Sequence, residues 1–222
     1  MQIADSAVPI GATAHSFGLE TLTSEGTLCV PHLRDYLADF LMEVGALEGA
    51  YCRAGFRLAT PDSDTDFETK WLELNDRLSA LKPARESRTG STTLGRRLLQ
   101  LVGALEPLPA LARVLPLIKK YPAAAHLSLA FGLIGGALGL EEETTVIACL
   151  HQIVAGIVSA GQRLLPLGQQ QASSLLWNVK TDILRAAERS RTADIDTLSC
   201  FCPLIEVAGM RHPGLTTRLF IS

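Results

Sequence analysis

The stretch LSLAFGLIGGALGL, from Leu127 to Leu140, and the apolar run that follows it, from Val146 to Leu167, decide the fold class. The first run is about 14 residues long, short of the roughly 20 that a membrane-spanning helix requires, and three glutamates, Glu141 to Glu143, end it. The second run is longer but carries His151, Gln152, Gln162 and Arg163. Length and polarity therefore favour two buried helices of a globular core over a membrane protein.

Four glycines lie within the first of these helices: Gly132, Gly135, Gly136 and Gly139. Each costs a helix about 0.8–1 kcal/mol relative to alanine, so propensity does not explain them. Small residues at this spacing let another backbone approach closely. A tight crossing in the core and a subunit interface both account for them. A ligand site is less favoured because no phosphate-loop lysine accompanies the glycines.

Amphipathic helices are predicted on both sides of the central pair, and the alternation typical of strands is nearly absent. Before the pair, apolar stripes run from Leu33 to Val44, from Phe67 to Leu81 and from Leu94 to Leu105. The second stripe follows Thr60-Pro61-Asp62, which resembles a helix start. The polar segment RESRTGSTT, Arg85 to Thr93, predicts a loop within one domain.

The remaining helices are bounded by prolines and acidic residues. A short one lies between Pro107 and Pro122, and another runs from about Gln170 to Arg189. The last begins near Asp194 or Asp196 and ends around His212-Pro213-Gly214. The sequence therefore predicts an all-α protein, a single compact domain over residues 1–222 with about eight to ten helices.

Composition narrows the class of protein and its partners. The 222 residues are 47% hydrophobic and 19% charged, which favours a folded chain over a disordered one. A formal net charge of −3 provides no broad basic surface for nucleic acid or anionic lipid. The five cysteines are an odd number and widely spaced, and no signal peptide is visible, so a reducing cytoplasm is the simplest compartment.

Sequence motifs of enzymes and metal sites are missing. The chain has no HExxH, Walker A, GxSxG or paired CxxC motif. Cys200 and Cys202 with His212 have the chemistry of soft metal ligands, but two thiolates and a distant histidine do not complete a tetrahedral shell, so an apolar packing role is favoured for the cysteines. His32, His126 and His151 have no ligand partner at i+3 or i+4 and are interpreted as structural or surface residues. We expect no cofactor and no metal site.

The two ends of the chain differ from the middle. The N-terminal stretch DSAVPIGATAHSFGLE, Asp5 to Glu20, places His15 and Ser16 at or just inside a helix start, with Glu20 in an early turn. The C-terminal stretch MRHPGLTTRLFIS ends with Arg218-Leu219-Phe220 shortly before Ser222. Apolar anchors beside a guanidinium are typical of a docking segment. Because termini without a packing role fray, we expect this tail to be loosely held.

Both ends resemble the opening and closing signatures of the UreF family of urease accessory proteins, Asp-Ser-x-x-Pro-Ile-Gly with His-Ser-x-Gly-Leu-Glu, and Met-x-His with Arg-Leu-Phe-x-Ser. Three further stretches match family patterns in order along the chain: ESRTGSTTLGRRLL, FGLIGGALGL and QRLLPLGQ. The resemblance thus covers essentially the whole chain. It departs from the family at Ala12-Thr13, where Gly and an aromatic residue are usual, and at Ile221, where Arg is common.

The resemblance implies a cytoplasmic, homodimeric, non-catalytic protein that binds UreD (also called UreH), recruits the GTPase UreG and helps deliver nickel to apo-urease in a GTP-dependent step. It also implies a C-terminal docking tail, residues 213–222. The partner-binding residues are then His15, Ser16, Glu20, Glu86, Arg88, His212, Arg218, Leu219 and Phe220. The alternative is a metal-binding chaperone or helical enzyme that uses the His and Cys residues; nickel calorimetry on the isolated protein discriminates between them.

Overall fold

The computed structural model describes Ile3, Asp5, residues 8–59 and residues 66–221. Within those residues it contains no strand and eleven α-helical segments. They are α1 (Leu19–Ser24), α2 (Leu33–Phe40), α3 (Ala46–Leu58), α4 (Phe67–Ala80), α5 (Arg85–Leu105), α6 (Pro109–Lys120), α7 (Leu127–Ala137), α8 (Glu142–Leu164), α9 (Gln169–Asn178), α10 (Lys180–Arg191) and α11 (Pro203–Arg211). The all-α prediction is confirmed. The helix start predicted at Thr60-Pro61-Asp62 lies outside the described residues.

Several segments join into longer rods. A π-helical turn, Leu41–Gly45, connects α2 to α3 without a break, and Val179 alone separates α9 from α10. The described part of the chain therefore has nine rods, within the predicted range. They enclose one contiguous apolar core, whose largest fully buried side chains are Trp71, Tyr51 and Phe131.

The glycines of α7 allow it to cross α3 closely in the core. This is one of the two interpretations that the sequence left open, the other being a subunit interface. A Cβ on Gly132 would lie 1.8 Å from the carbonyl oxygen of Cys52, and one on Gly136 would lie 2.5 Å from that of Phe56. Gly135 faces the side chain of Thr145 on α8 in the same way, at 2.3 Å. The backbone of α7 thus lies directly against α3, which only glycine permits. This face is used inside the core.

The second apolar run forms α8, which is packed inside the bundle. Among the described residues this one helix is long and apolar enough to cross a membrane by length and composition, but 56% of its most apolar window is buried by the rest of the protein. The glutamates that end the first apolar run also begin this helix, with Glu141 as its N-cap residue. Glu142 and Glu143 also bind the guanidinium of the buried Arg53, at 3.1 and 2.6 Å, so they join α8 to α3.

The loop predicted over Arg85 to Thr93 is wrong, because this segment is the first half of α5. Its polar side chains have buried partners that polarity alone does not reveal. Ser91 Oγ lies 3.0 Å from His126 Nδ1 and accepts a hydrogen bond from Leu127 N–H. At Gly95 a Cβ would lie 2.0 Å from the carbonyl oxygen of Ala125. A run of Ser, Thr and Gly therefore packs here as a core helix.

The last helix also begins later than predicted. Asp194 accepts a hydrogen bond from Asp196 N–H, which makes a turn in place of a helix start. The helix starts instead at Pro203, whose fixed φ suits a first turn and is incompatible with a helix interior. It ends at Arg211 and continues as a 3-10 turn, His212–Gly214, at the predicted place.

His126 and His151 take the roles that the sequence predicted. His126 is fully buried, with its ring nitrogens 2.9 Å from Ser79 Oγ and 3.0 Å from Ser91 Oγ. Burial, with the nearby Lys82 ammonium, lowers the pKa of His126 to about 3, so the ring is neutral. His151 is exposed on α8.

Candidate partner-binding site

The predicted residues of the two chain ends meet around one buried imidazole. His212 is fully buried, and its Nε2 and Nδ1 lie 2.8 Å from Glu20 Oε2 and 2.7 Å from Glu86 Oε2. Each ring nitrogen therefore lies within hydrogen-bond distance of one carboxylate oxygen. The Arg218 guanidinium lies 3.8 Å from the other oxygen of Glu86. This Glu20–His212–Glu86 cluster joins α1, α5 and the segment after α11.

Glu20 also holds the backbone of the C-terminal tail. Its two carboxylate oxygens accept hydrogen bonds from Leu219 N–H at 2.6 Å and from Phe220 N–H at 3.1 Å. Burial alone raises the pKa of Glu20, but the bonds from Leu219, His212 and Phe220 outweigh it and leave that pKa below its usual value. The ionised carboxylate is therefore the form that clasps the tail.

Two residues just before α1, Gly18 and Ser16, place Glu20 at this position. Gly18 adopts φ +89°, and a Cβ there would meet Ile205 and Ala208 of α11, so glycine allows α1 to begin against that helix. Ser16 Oγ accepts a 3.4 Å bond from Glu20 N–H across the start of α1. Ser16 thus lies just before the start of α1, where the sequence placed it, and its hydroxyl contacts the backbone of Glu20.

The tail itself is packed against the fold, so the expectation of a loosely held tail is wrong. Phe220 is buried, and the Arg163 guanidinium lies 4.2 Å from the centroid of its ring. Ile221 N–H donates to Ala14 O at 2.8 Å. The neighbours of Phe220 point outward, with Leu219 57% and Ile221 68% exposed. The tail, which bends at residues 219–220, therefore places one apolar residue in the core and its two neighbours on the surface.

Comparison with known proteins gives the same family as the terminal signatures. The family model UreF matches residues 31–180. The chain is 31% identical over its whole length to the urease accessory protein UreF of Actinobacillus pleuropneumoniae serotype 5b, of which 97% is covered. It is 32% identical to that of a Nostoc species and 33% to that of Lachnoclostridium phytofermentans, again over the whole chain, covering 94% and 96% of those proteins. The chain belongs to the UreF family of urease accessory proteins.

In this UreF-family chain, six of the nine predicted partner-binding residues come together: Glu20, Glu86, His212, Arg218, Leu219 and Phe220. Three do not join the cluster directly. Ser16 acts through Glu20, and His15 stacks on Phe17, 5.6 Å between ring centroids, beside a cavity of about 80 Å³. Burial and the Arg97 charge lower the pKa of His15. Arg88 donates to the carbonyl oxygens of Lys82 and Pro83, where it closes the turn before α5.

Sequence reasoning missed one residue that supports the UreF tail. Arg163, at the end of α8, covers the Phe220 ring and donates to Thr13 O at 2.7 Å. It lies in QRLLPLGQ, a stretch that resembles the family pattern, so the sequence marked Arg163 but did not indicate what it does. The same geometry engages both nitrogens of His212 with carboxylates, which leaves neither to join Cys200 and Cys202 as a metal ligand.

Proposed function

We propose that this protein is a non-catalytic, homodimeric scaffold of cytoplasmic urease maturation. In this role it bridges UreD (UreH) and the GTPase UreG and couples GTP hydrolysis to the insertion of nickel into apo-urease. Membership of the UreF family supports the urease pathway. The observation that carries the bridging role is the held tail, whose inner side is bound to the fold while Leu219 and Ile221 remain exposed.

A tail of this kind suits docking because its conformation is set before the partner arrives. Three backbone N–H groups, of Leu219, Phe220 and Ile221, are bonded to Glu20 and Ala14. A partner that binds Leu219 and Ile221 therefore has little tail backbone to order, and a segment already in its bound conformation binds more tightly. The partly exposed guanidinium of Arg218 adds a charge-assisted donor at the edge of this surface. We assign this surface to UreD.

The homodimer needs a surface other than the α7 glycines, which are used in the core. Large apolar side chains are exposed on α9 and α10, where Trp177 is 69% and Leu184 53% exposed, and Met42 on the adjoining π turn is 50% exposed. Exposed apolar groups of this size mark contact surfaces. We expect light scattering at tens of micromolar, on the affinity scale of ordinary interfaces, to find a dimer; a monomer alone contradicts this part of the proposal.

The docking test compares two exposed leucines. Leu219→Asp should abolish capture of purified UreD, alone or with UreG, while the melting temperature stays unchanged. Leu105→Asp is the matched control, because Leu105 is 63% exposed and lies roughly 28 Å from Glu86 along α5. It should capture UreD normally. If Leu219→Asp still captures UreD at the wild-type level, the tail is not the docking surface.

The scaffold role is tested with purified components. Alone, the protein should hydrolyse neither GTP nor urea. Added to UreD, UreG, nickel, GTP and apo-urease, it should raise urease activity, and Leu219→Asp should not. A GTPase signal from the isolated protein that survives removal of contaminating UreG contradicts a non-catalytic role.

A further inference from the structure

A thiol and an imidazole meet on the surface just before α2. Cys29 Sγ lies 3.3 Å from His32 Nδ1. The cause is the 3-10 turn Val30–His32, which has three residues per turn, so side chains at i and i+3 lie one above the other. Pro31 restricts φ within the turn, and His32 N–H donates to Cys29 O at 3.0 Å. His32 has no ligand partner at i+3 or i+4 in the sequence, because the cysteine of this pair precedes it by three residues.

The turn is held at both ends, so the pair is set in place by the fold. Leu28 and Leu33, which flank it, are buried in the core. Cys29 is half-buried, whereas His32 is exposed. The two groups therefore meet at the surface on a rigid base, the condition under which a small ligand set is preorganised.

We propose that Cys29 and His32 form a two-ligand binding site for a thiophilic divalent metal ion, of which Ni²⁺ is the one relevant to urease maturation. With metal–sulfur and metal–nitrogen bonds of about 2.3 and 2.0–2.1 Å, the two ligand atoms lie about 3.1 Å apart for a right-angled bite and about 3.6 Å apart for a tetrahedral one. The 3.3 Å between Sγ and Nδ1 falls between these values. Little movement is needed to bind.

Binding exchanges a proton for the metal ion. On binding, the Cys29 thiol loses its proton to solvent and the thiolate bonds to the metal, while His32 donates the Nδ1 lone pair with its hydrogen on Nε2. The described residues contain no cluster of three or more His, Cys, Asp or Glu able to hold a metal. The described residues thus supply two ligands and water completes the shell, so the ion exchanges readily, as cargo must.

A thiol–imidazole pair is also the core of cysteine-dependent hydrolases, which bind substrate in a cleft. The two cavities described for this chain are lined by other residues, and neither Cys29 nor His32 borders them. Metal binding at an open surface fits the geometry better than nucleophilic catalysis. Ni²⁺ at this pair would give the scaffold a cargo site, so nickel calorimetry on wild type no longer by itself separates the scaffold from a metal-binding chaperone. The choice of Ni²⁺ rests on the proposed function, and the capture of UreD and UreG tests the scaffold role separately.

The test titrates the untagged, reduced, full-length protein with Ni²⁺ and follows the near-ultraviolet thiolate-to-nickel absorption together with calorimetry. Wild type should show a saturable signal with proton release, and Cys29→Ser and His32→Gln should lose it. Cys200→Ser and His151→Gln replace the same residue types elsewhere and should keep it. A parallel calorimetric titration with Zn²⁺ shows whether the site prefers nickel, and Mg²⁺ should give no binding.

Three results overturn the proposal: no thiolate absorption on adding Ni²⁺ to wild type, a signal that persists in Cys29→Ser, or equal loss in Cys200→Ser. Circular dichroism of each variant separates loss of ligand from loss of fold. If Cys29→Ser loses the metal but supports urease activation in the reconstituted system, the site stands and the nickel reaches urease by another route. If Cys29→Ser keeps the metal and activation fails, the metal proposal falls and the scaffold proposal does not.

Discussion

His212 Nε2 lies 2.8 Å from Glu20 Oε2, although 192 positions separate the two residues in the chain. Leu219 N–H and Phe220 N–H also donate to the Glu20 carboxylate. Together these bonds join the N-terminal and C-terminal parts of the chain. Closing so long a loop costs conformational entropy, and this cost grows only slowly with loop length. The buried Phe220 and the charged hydrogen bonds offset it. The surface that we assign to partner docking is therefore also part of the fold.

Phe220→Ala should lower the free energy of unfolding by about 3–5 kcal/mol, because it empties the buried site that the ring fills against Arg163. Leu219→Ala, one position earlier but exposed, should stay within about 0.5 kcal/mol of wild type. Urea denaturation of both variants measures the difference. Equal stability of the two variants means that the tail is not packed in solution.

Glu20→Gln keeps the shape of the side chain and removes its charge. We expect a loss of about 1–3 kcal/mol, because hydrogen bonds that involved a buried carboxylate become weaker or are broken. Glu25→Gln is the matched control: Glu25 binds the exposed Arg211 at 2.9 Å on the surface, so its loss should cost less than about 1 kcal/mol. Denaturation at neutral pH measures the two losses of stability. A Glu20→Gln protein as stable as Glu25→Gln contradicts the role of Glu20 in holding the backbone of Leu219 and Phe220.

The hydrogen bonds between the Glu20 carboxylate and the tail should weaken in acid. The pKa of Glu20 is lowered in the folded protein from its ordinary value of 4.5. A carboxyl with a lowered pKa stabilises the fold fully above its unfolded pKa, and this contribution disappears as the pH falls through the folded pKa. The difference in stability between wild type and Glu20→Gln should therefore be constant down to about pH 4.5 and shrink below it.

His126 makes the stability of the protein depend on pH as well, but it does so equally in wild type and Glu20→Gln, so its effect cancels in the difference between them. Its pKa is about 3 when folded and 6.5 ordinarily, so stability falls as the pH drops below about 6.5 in both proteins alike. Urea midpoints of the pair between about pH 7 and about pH 3 measure the difference. A difference that does not change with pH contradicts the role given to the Glu20 charge.

Gly132→Ala should destabilise the protein by about 1–3 kcal/mol or more, since its methyl group would overlap the carbonyl of Cys52 and separate α7 from α3. Gly156→Ala on α8 is the control, because nothing lies within 4 Å of its Cβ position. This second change should be neutral or stabilising by up to about 1 kcal/mol, as helix propensity favours alanine. Thermal unfolding of both checks the prediction, and a stable Gly132→Ala protein would rule out the tight crossing.

Helix boundaries were predictable where a proline or a run of charge marks them. Leu105 before Pro107 and the glutamates that begin α8 are two such places. Boundaries were mispredicted where polarity was taken for exposure. Ser91 is small and polar and Gly95 has no side chain, yet both are buried because His126 and Ala125 lie against them. Nothing local to residues 85–93 states that these neighbours exist.

The candidate site divides in the same way. Sequence alone determined the all-α class, the central helix pair, the family and the importance of the two chain ends, because periodicity, chain-length limits and motifs are local properties. Only the tertiary structure decided that Glu20, Glu86 and His212 form one cluster. It also decided that Phe220 points inward while Leu219 points outward, and that Arg163 covers the Phe220 ring. These facts depend on contacts between residues far apart in the chain, which arise only when the helices pack and bring the two termini together.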